Sequence, residues 1–219
     1  MSRFIGYLLC VVLFAGAAPV PGAQSGTPTI LVFGDSISAG YGIAVDQGWV
    51  NLLSAKLQKE GYGFRVVNAS VSGETTGGGL ARLPRVLSAH RPAILLVELG
   101  ANDGLRGLPV EQIKKNLTTI VQVSKREGVR VVLVGMQLPP NYGPEYTSKF
   151  AAAFGAVASA FHTALVPFLL ERVALDDANF QADRLHPIAA VEGKVLDTVW
   201  AVLKPLLHKA PAVAPAATH

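Results

Sequence analysis

Cysteine is nearly absent from this sequence: Cys10 is the only one in 219 residues. One thiol cannot build a disulfide framework or a cysteine-based zinc site. No His-x-x-x-His pair offers a metal site in its place. Cofactor loops are missing too. Gly40-Tyr-Gly42 runs on to Val45 rather than to a third glycine, and no Gly-x₄-Gly-Lys-Ser/Thr phosphate loop occurs. No cofactor is therefore expected. Charge is sparse at 16% of residues, and the basic side chains are scattered, so neither a nucleic-acid patch nor a polybasic membrane anchor is present. What the chain does have is apolar bulk. Half of it is hydrophobic, too much for a disordered chain, while 22 glycines and 14 prolines are too few for a fibrous one. The length suits one domain with a sizeable core, since domains commonly run to roughly 100–200 residues.

The first residues are set apart from that domain. Arg3 supplies one positive charge, and residues 5–18 carry none. A membrane-spanning helix wants roughly 20 apolar residues, whereas the core of a secretory signal needs only about 7–15. Small residues follow, with cleavage expected after Ala17 or Ala23. We read residues 1–23 as a signal peptide, 24–209 as the folded domain and the Ala/Pro-rich residues 210–219 as a disordered tail. The protein is then exported, to the periplasm or the cell exterior, with no membrane span left after cleavage. Cys10 leaves with the leader, and loss of Arg3 takes the net charge from +4 to +3.

Within the domain, short apolar runs at 29–33, 64–68, 93–97, 130–134 and 164–166 read as strands. Their continuous hydrophobicity suits a parallel sheet covered on both faces. Helical patterns lie between them. Trp49, Leu52, Leu53 and Leu57 share one face, and so do Val110, Ile113, Leu117, Ile120 and Val121. Residues 144–162 are alanine-rich and helix-prone, and a final helix carries Val191, Val195, Val199, Val202 and Leu206. Residues 74–90 begin glycine-rich and turn helical. This alternation predicts a single three-layer α/β/α domain, doubly wound, with a mostly parallel sheet of about five strands.

In such folds ligands bind beyond the carboxyl ends of the strands. After the first run comes Gly34-Asp35-Ser36, after the second Ser70-Val71-Ser72-Gly73, after the third Gly100-Ala101-Asn102-Asp103, and further on Asp183-Arg184-Leu185-His186. A serine, a glycine, an asparagine and an Asp/His pair thus converge on one edge. Those are the parts of a nucleophilic acyl-transfer site. The remaining histidines, His90, His162, His208 and His219, read as structural or solvated. Glu98 is out of character at the end of an apolar strand and needs a hydrogen-bond partner.

Four segments in order resemble the sequence blocks of the SGNH (GDSL-type) hydrolase superfamily. They are the run from Phe33 through Gly-Asp-Ser to Tyr41, that from Glu98 to Leu108, Leu-Pro-Pro-Asn-Tyr-Gly ending at Gly143, and Asp183-Arg-Leu-His-Pro187. The secreted thioesterase I/lysophospholipase/arylesterase branch is the most similar, and the likeness spans residues 29–207. The resemblance implies an SGNH, flavodoxin-like fold. It also implies that Ser36 is the nucleophile, His186 its general base and Asp183 the residue that orients the histidine. The backbone N–H groups of Ser36 and Gly73 and the amide of Asn102 would form the oxyanion hole. Arg184 stands where the family often has glycine, and Ala101 replaces another common glycine, so its φ is expected to be negative.

The residue types suit these roles. An imidazole activates a serine hydroxyl, a carboxylate fixes the imidazole tautomer, and an amide donates to an oxyanion without titrating. Leu105 and Leu108, just after Asn102, are expected to line an acyl groove, with Tyr142 on the opposite wall. The reading is a secreted serine esterase acting on small acyl esters or thioesters, without nucleic-acid partners and with a monomer favoured among oligomeric states that the sequence does not decide. Its alternatives are a carbohydrate O-deacetylase of the same superfamily and an inactive ligand-binding α/β domain.

Overall fold

The computed structural model describes residues 26–207. The expected signal peptide and C-terminal tail lie outside the described residues. Five strands form one parallel sheet: β1 (Thr29–Gly34), β2 (Arg65–Asn68), β3 (Ile94–Glu98), β4 (Arg130–Val134) and β5 (Ala164–Val166). Their spatial order is β2-β1-β3-β4-β5. Every residue of β1 and β3 is buried, which is why those segments read as unbroken apolar runs. The edge strand β2 differs, with Arg65 and Asn68 exposed at its ends.

Helices cover both faces. α2 (Trp49–Lys59) packs beside α7 (Glu192–Leu203) on one side, and α5 (Val110–Arg126) packs between α3 (Thr76–His90) and α6 (Pro144–Ala160) on the other. The two short helices α1 (Ser36–Ala39) and α4 (Ala101–Leu105) sit at the carboxyl ends of β1 and β3. α5 buries Ile113, Leu117, Ile120 and Val121, the stripe that its periodicity implied. In α2 the buried face is Trp49, Val50, Leu53 and Leu57, and Leu52 is only half-buried.

Two elements depart from local sequence preference. α3 includes Gly77, Gly78 and Gly79, which alone would favour a loop. Thr75 caps its start by accepting from the Gly78 N–H at 3.1 Å. Gly79 permits close approach to the sheet: a Cβ there would stand 2.4 Å from Leu99 Cδ1. α4 is a single turn inside what reads as a glycine-bounded loop, so Asn102 lies on a helix rather than in a loop.

The chain reverses direction across the sheet between β1 and β3. That is the switch point at which a crevice opens above a sheet of this order. Ser36 follows β1 and Asn102 follows β3, so the fold sets both at the crevice.

Candidate active site

Asp35 is the joint between β1 and α1. Its Oδ1 accepts from the Ile37 N–H at 3.0 Å and so caps α1. Ser36 opens the helix, where a backbone N–H has no intrahelical partner. Gly34 is required here for space, because a Cβ would fall 2.6 Å from Glu98 Oε2 and 2.7 Å from Ser38 Oγ.

The Asp/His segment arrives from the other end of the chain. Asp183 Oδ1 accepts from the N–H groups of Leu185 and His186 at 2.9 and 3.1 Å, closing a tight turn. Its Oδ2 lies 2.7 Å from His186 Nδ1, and His186 Nε2 lies 2.8 Å from Ser36 Oγ. Partial burial pushes the Asp183 carboxyl up, but its bonds from Leu185 and His186 outweigh that and hold it below 3.8. Asp183 is therefore ionised and only accepts. The proton sits on Nδ1, and Nε2 turns its lone pair to the Ser36 hydroxyl. Arg184 completes the turn with φ +57°, a left-handed conformation that glycine adopts more readily.

The loops after β2 and β3 are tied to the same place. The Val71 N–H donates to the Gly34 carbonyl at 3.0 Å, and Gly73 bends the chain at φ +79°. Arg106 Nη2 donates to the Gly73 carbonyl at 3.1 Å, and Glu74 pairs with Arg82 at 2.6 Å. Asn102 Nδ2 donates to Asp35 Oδ2 at 2.9 Å. An amide nitrogen carries two hydrogens, so one stays free for a ligand. Ala101 has the negative φ expected of it, with Gly100 taking the turn at φ +123°. Asp103 accepts from both the N–H and the hydroxyl of Thr76, at 2.8 and 2.5 Å, joining α4 to the start of α3.

Beneath these loops lies a pair of buried acids. Glu98 is fully buried, and its Oε2 accepts from Ser38 Oγ at 2.7 Å and from the Asp35 N–H at 3.2 Å. Burial, followed by the neighbouring Asp35 charge, pushes the Glu98 carboxyl well above 4.5. Burial also raises Asp35, to about 6, against the opposing pull of Ile37, His186 and Asn102. Both acids therefore hold their protons to higher pH than a solvated carboxyl would. The need of Glu98 for a partner was legible in the sequence; its pairing with the Asp35 loop was not.

The expected acyl-groove residues also come together. The Tyr142 hydroxyl donates to the Leu105 carbonyl at 2.8 Å, and the Tyr146 hydroxyl to the Leu108 carbonyl at 2.6 Å. Leu105 and Tyr142 are half-buried and pack against the core, so they serve the fold as well as any groove. The segment Leu105–Leu108 is thus fastened at two points. Among the described residues no group of three or more His, Cys, Asp or Glu side chains is placed to hold a metal ion. A cavity of about 1040 Å³, lined by Thr29, Arg65, His90 and Arg91 among others, opens at the amino ends of the strands, away from Ser36.

A serine, an imidazole and a carboxylate in one hydrogen-bonded relay, beside amide donors, can carry out acyl transfer. Residues 32–191 match the GDSL-like lipase/acylhydrolase family. The chain is 52% identical over 184 residues to esterase TesA of Pseudomonas aeruginosa, covering 84% of this chain and 92% of that protein. It is 40% identical over 180 residues to thioesterase 1/protease 1/lysophospholipase L1 of Escherichia coli K12, covering 82% and 85% respectively. Among solved structures, the crystal structure of TesA superposes with a TM-score of 0.80 at 52% identity, over 82% of this chain and 99% of that one. The chain therefore belongs to the GDSL-like lipase/acylhydrolase family and is a hydrolase of ester or thioester bonds.

Proposed function

We propose that the protein is an exported serine esterase that cleaves small acyl esters and thioesters through an acyl-Ser36 intermediate. The relay from Ser36 Oγ through His186 to Asp183, at 2.8 and 2.7 Å, carries this reading. His186 Nε2 takes the Ser36 proton as Oγ attacks the acyl carbonyl. The new C–O bond moves the carbonyl electron pair onto oxygen. That oxyanion is met by the N–H groups of Ser36 and Gly73 and by the free Nδ2 hydrogen of Asn102. Asp183 steadies the imidazolium, which then protonates the departing alkoxide or thiolate. Water repeats the sequence on the acyl-serine, with His186 again as base, and releases the acid.

Both relatives bear acyl-hydrolase names, which supports an acyl ester or thioester as substrate. The leucines of the segment after Asn102 supply an apolar wall on which an acyl chain can lie. Export rests on the uncharged stretch at residues 5–18 and the small residues after it. No helix among the described residues is long and apolar enough to cross a membrane.

The decisive experiment is Ser36→Ala, assayed on p-nitrophenyl esters and acyl thioesters of graded chain length. Hydrolysis is abolished while circular dichroism and thermal unfolding stay those of the parent. Parental turnover in the variant would sink the assignment.

A further inference from the structure

The two catalytic loops come from opposite ends of the chain, yet Ser36 Oγ and His186 Nε2 must stay within hydrogen-bond reach. We propose that Gln181 is a positioning residue that locks the Ser36 loop to the His186 loop and so sets that distance. The inference rests on the roles given above to Ser36 and His186.

The carboxamide of Gln181 reaches across the gap. Its Nε2 donates one hydrogen to the Tyr41 carbonyl at 2.8 Å and the other to the Pro187 carbonyl at 3.0 Å. Both hydrogens of the amide are thus engaged, one on each loop. At each end the hold leads back to a catalytic residue. The Tyr41 N–H donates to the Ser36 carbonyl at 3.0 Å, and the Gln181 N–H donates to the His186 carbonyl at 2.8 Å. Ser36, Tyr41, Gln181 and His186 therefore form a closed circuit of hydrogen bonds, with the Ser36–His186 contact as its last link.

Other contacts stiffen the circuit. The Arg184 N–H donates to the Gln181 carbonyl at 2.9 Å, and Phe180 bridges Pro187, so residues 180–187 close on themselves. The Tyr41 ring stands 4.6 Å from the His186 ring, tilted by 42°, although the tyrosine itself is 54% exposed. Pinning the Tyr41 backbone therefore also places a ring against the imidazole. Within this circuit the Gln181 side chain is the link that spans the two loops without taking part in the chemistry. Its loss lets the loops part while each retains its own fold. The effect falls on kcat more than on KM, because only the nucleophile–base geometry changes.

The test replaces Gln181 with methionine, which keeps its length and has no N–H to donate, and with alanine. Active-site titration with a fluorophosphonate counts competent enzyme, so rates are expressed per active molecule. An ångström of misplacement costs up to about 100-fold, so both variants should lose about 10- to 100-fold in kcat with KM within about twofold. Phosphonylation of Ser36 should slow in parallel, and the imidazole ¹⁵N signals of His186 should report a weakened Nε2 hydrogen bond. Parental kcat and phosphonylation rate would overturn the proposal. So would a lower melting temperature with an unchanged rate per active molecule, which marks a staple for the fold alone. If Ser36→Ala itself retains turnover, the reading of the site fails; if that variant is dead and Gln181→Met is fully active, only this inference does.

Discussion

Asp35→Asn exchanges one oxygen for an N–H₂ group in a buried corner of the site, and the consequences separate two properties of Asp35. The first is aim. Both carboxylate oxygens are engaged as acceptors, Oδ1 by the Ile37 N–H and Oδ2 by Asn102 Nδ2. Asparagine offers a single acceptor oxygen, so a donor must face a donor. The Ile37 N–H is fixed in the main chain, whereas the Asn102 amide can turn, so Asn102 gives way. The expected loss approaches that of an oxyanion donor, ~10²–10³ in kcat, with KM little changed. The second property is charge. A carboxyl held at about 6 against an ordinary 3.8 favours its protonated form in the fold by about 3 kcal/mol. Because the folded value is the raised one, that stability is fully present below 3.8 and is lost as pH rises through about 6.

Asparagine does not titrate, so the stability difference between parent and variant should change by about 2 kcal/mol between pH 4 and 7, most of the full span, whatever constant offset the misplaced donor adds. Removing the Asp35 charge also lets the Glu98 carboxyl fall toward its ordinary range, so the comparison is made in a Glu98→Gln background. Urea unfolding across that range measures the stability, and ester kinetics near pH 8 measure the aim. A kcat within twofold of the parent would show that Asp35 does not aim Asn102. A difference curve flat in pH would show that Asp35 is not the titrating group.

Two further substitutions probe features of the same face. Arg184→Gly relieves a left-handed residue that costs an L-amino acid ~1–2 kcal/mol, against a glycine entropy cost of ~0.5–1 kcal/mol. The net gain is between about 0 and 1.5 kcal/mol in urea unfolding, and a clear loss of stability would refute the strain. Tyr142→Phe removes the hydroxyl bond to the Leu105 carbonyl, worth ~0.5–1.5 kcal/mol, and frees one end of the wall after Asn102. KM should rise for medium-chain esters and hold for acetate, as read from a chain-length series; an unchanged profile would place the acyl chain elsewhere.

The elements that the sequence revealed were those whose burial leaves a periodic mark. β4 and β5 fall at the residues expected, and β1 and β3 differ at their ends by a residue. α3 was harder, because its Gly79 answers to Leu99 just beyond β3, and local pattern carries no trace of such a neighbour. Ser36 could be picked out because motif and strand end coincide, and Asp183 and His186 because they share one short motif three residues apart. The acid pair below them could not. Register sets Glu98 opposite Gly34 across β1 and β3, and register is a pairing between strands that no single segment contains. Gln181 was silent for a related reason: its amide matters through two carbonyls, at Tyr41 and Pro187, and carbonyls are common to every residue.

The 150 residues that separate Ser36 from His186 make the enzyme its own safety catch. While the chain is being made, or whenever its last loop is undocked, Ser36 is an ordinary alcohol without a base. Bringing the two ends together costs loop-closure entropy that only the completed sheet recovers. On the roles proposed for Ser36 and His186, turnover is therefore expected to begin in one step, when the His186 loop docks against the finished sheet. A chain built this way is expected to spare nearby esters during its own synthesis, and its activity would count the chains whose His186 loop has docked onto the Ser36 loop.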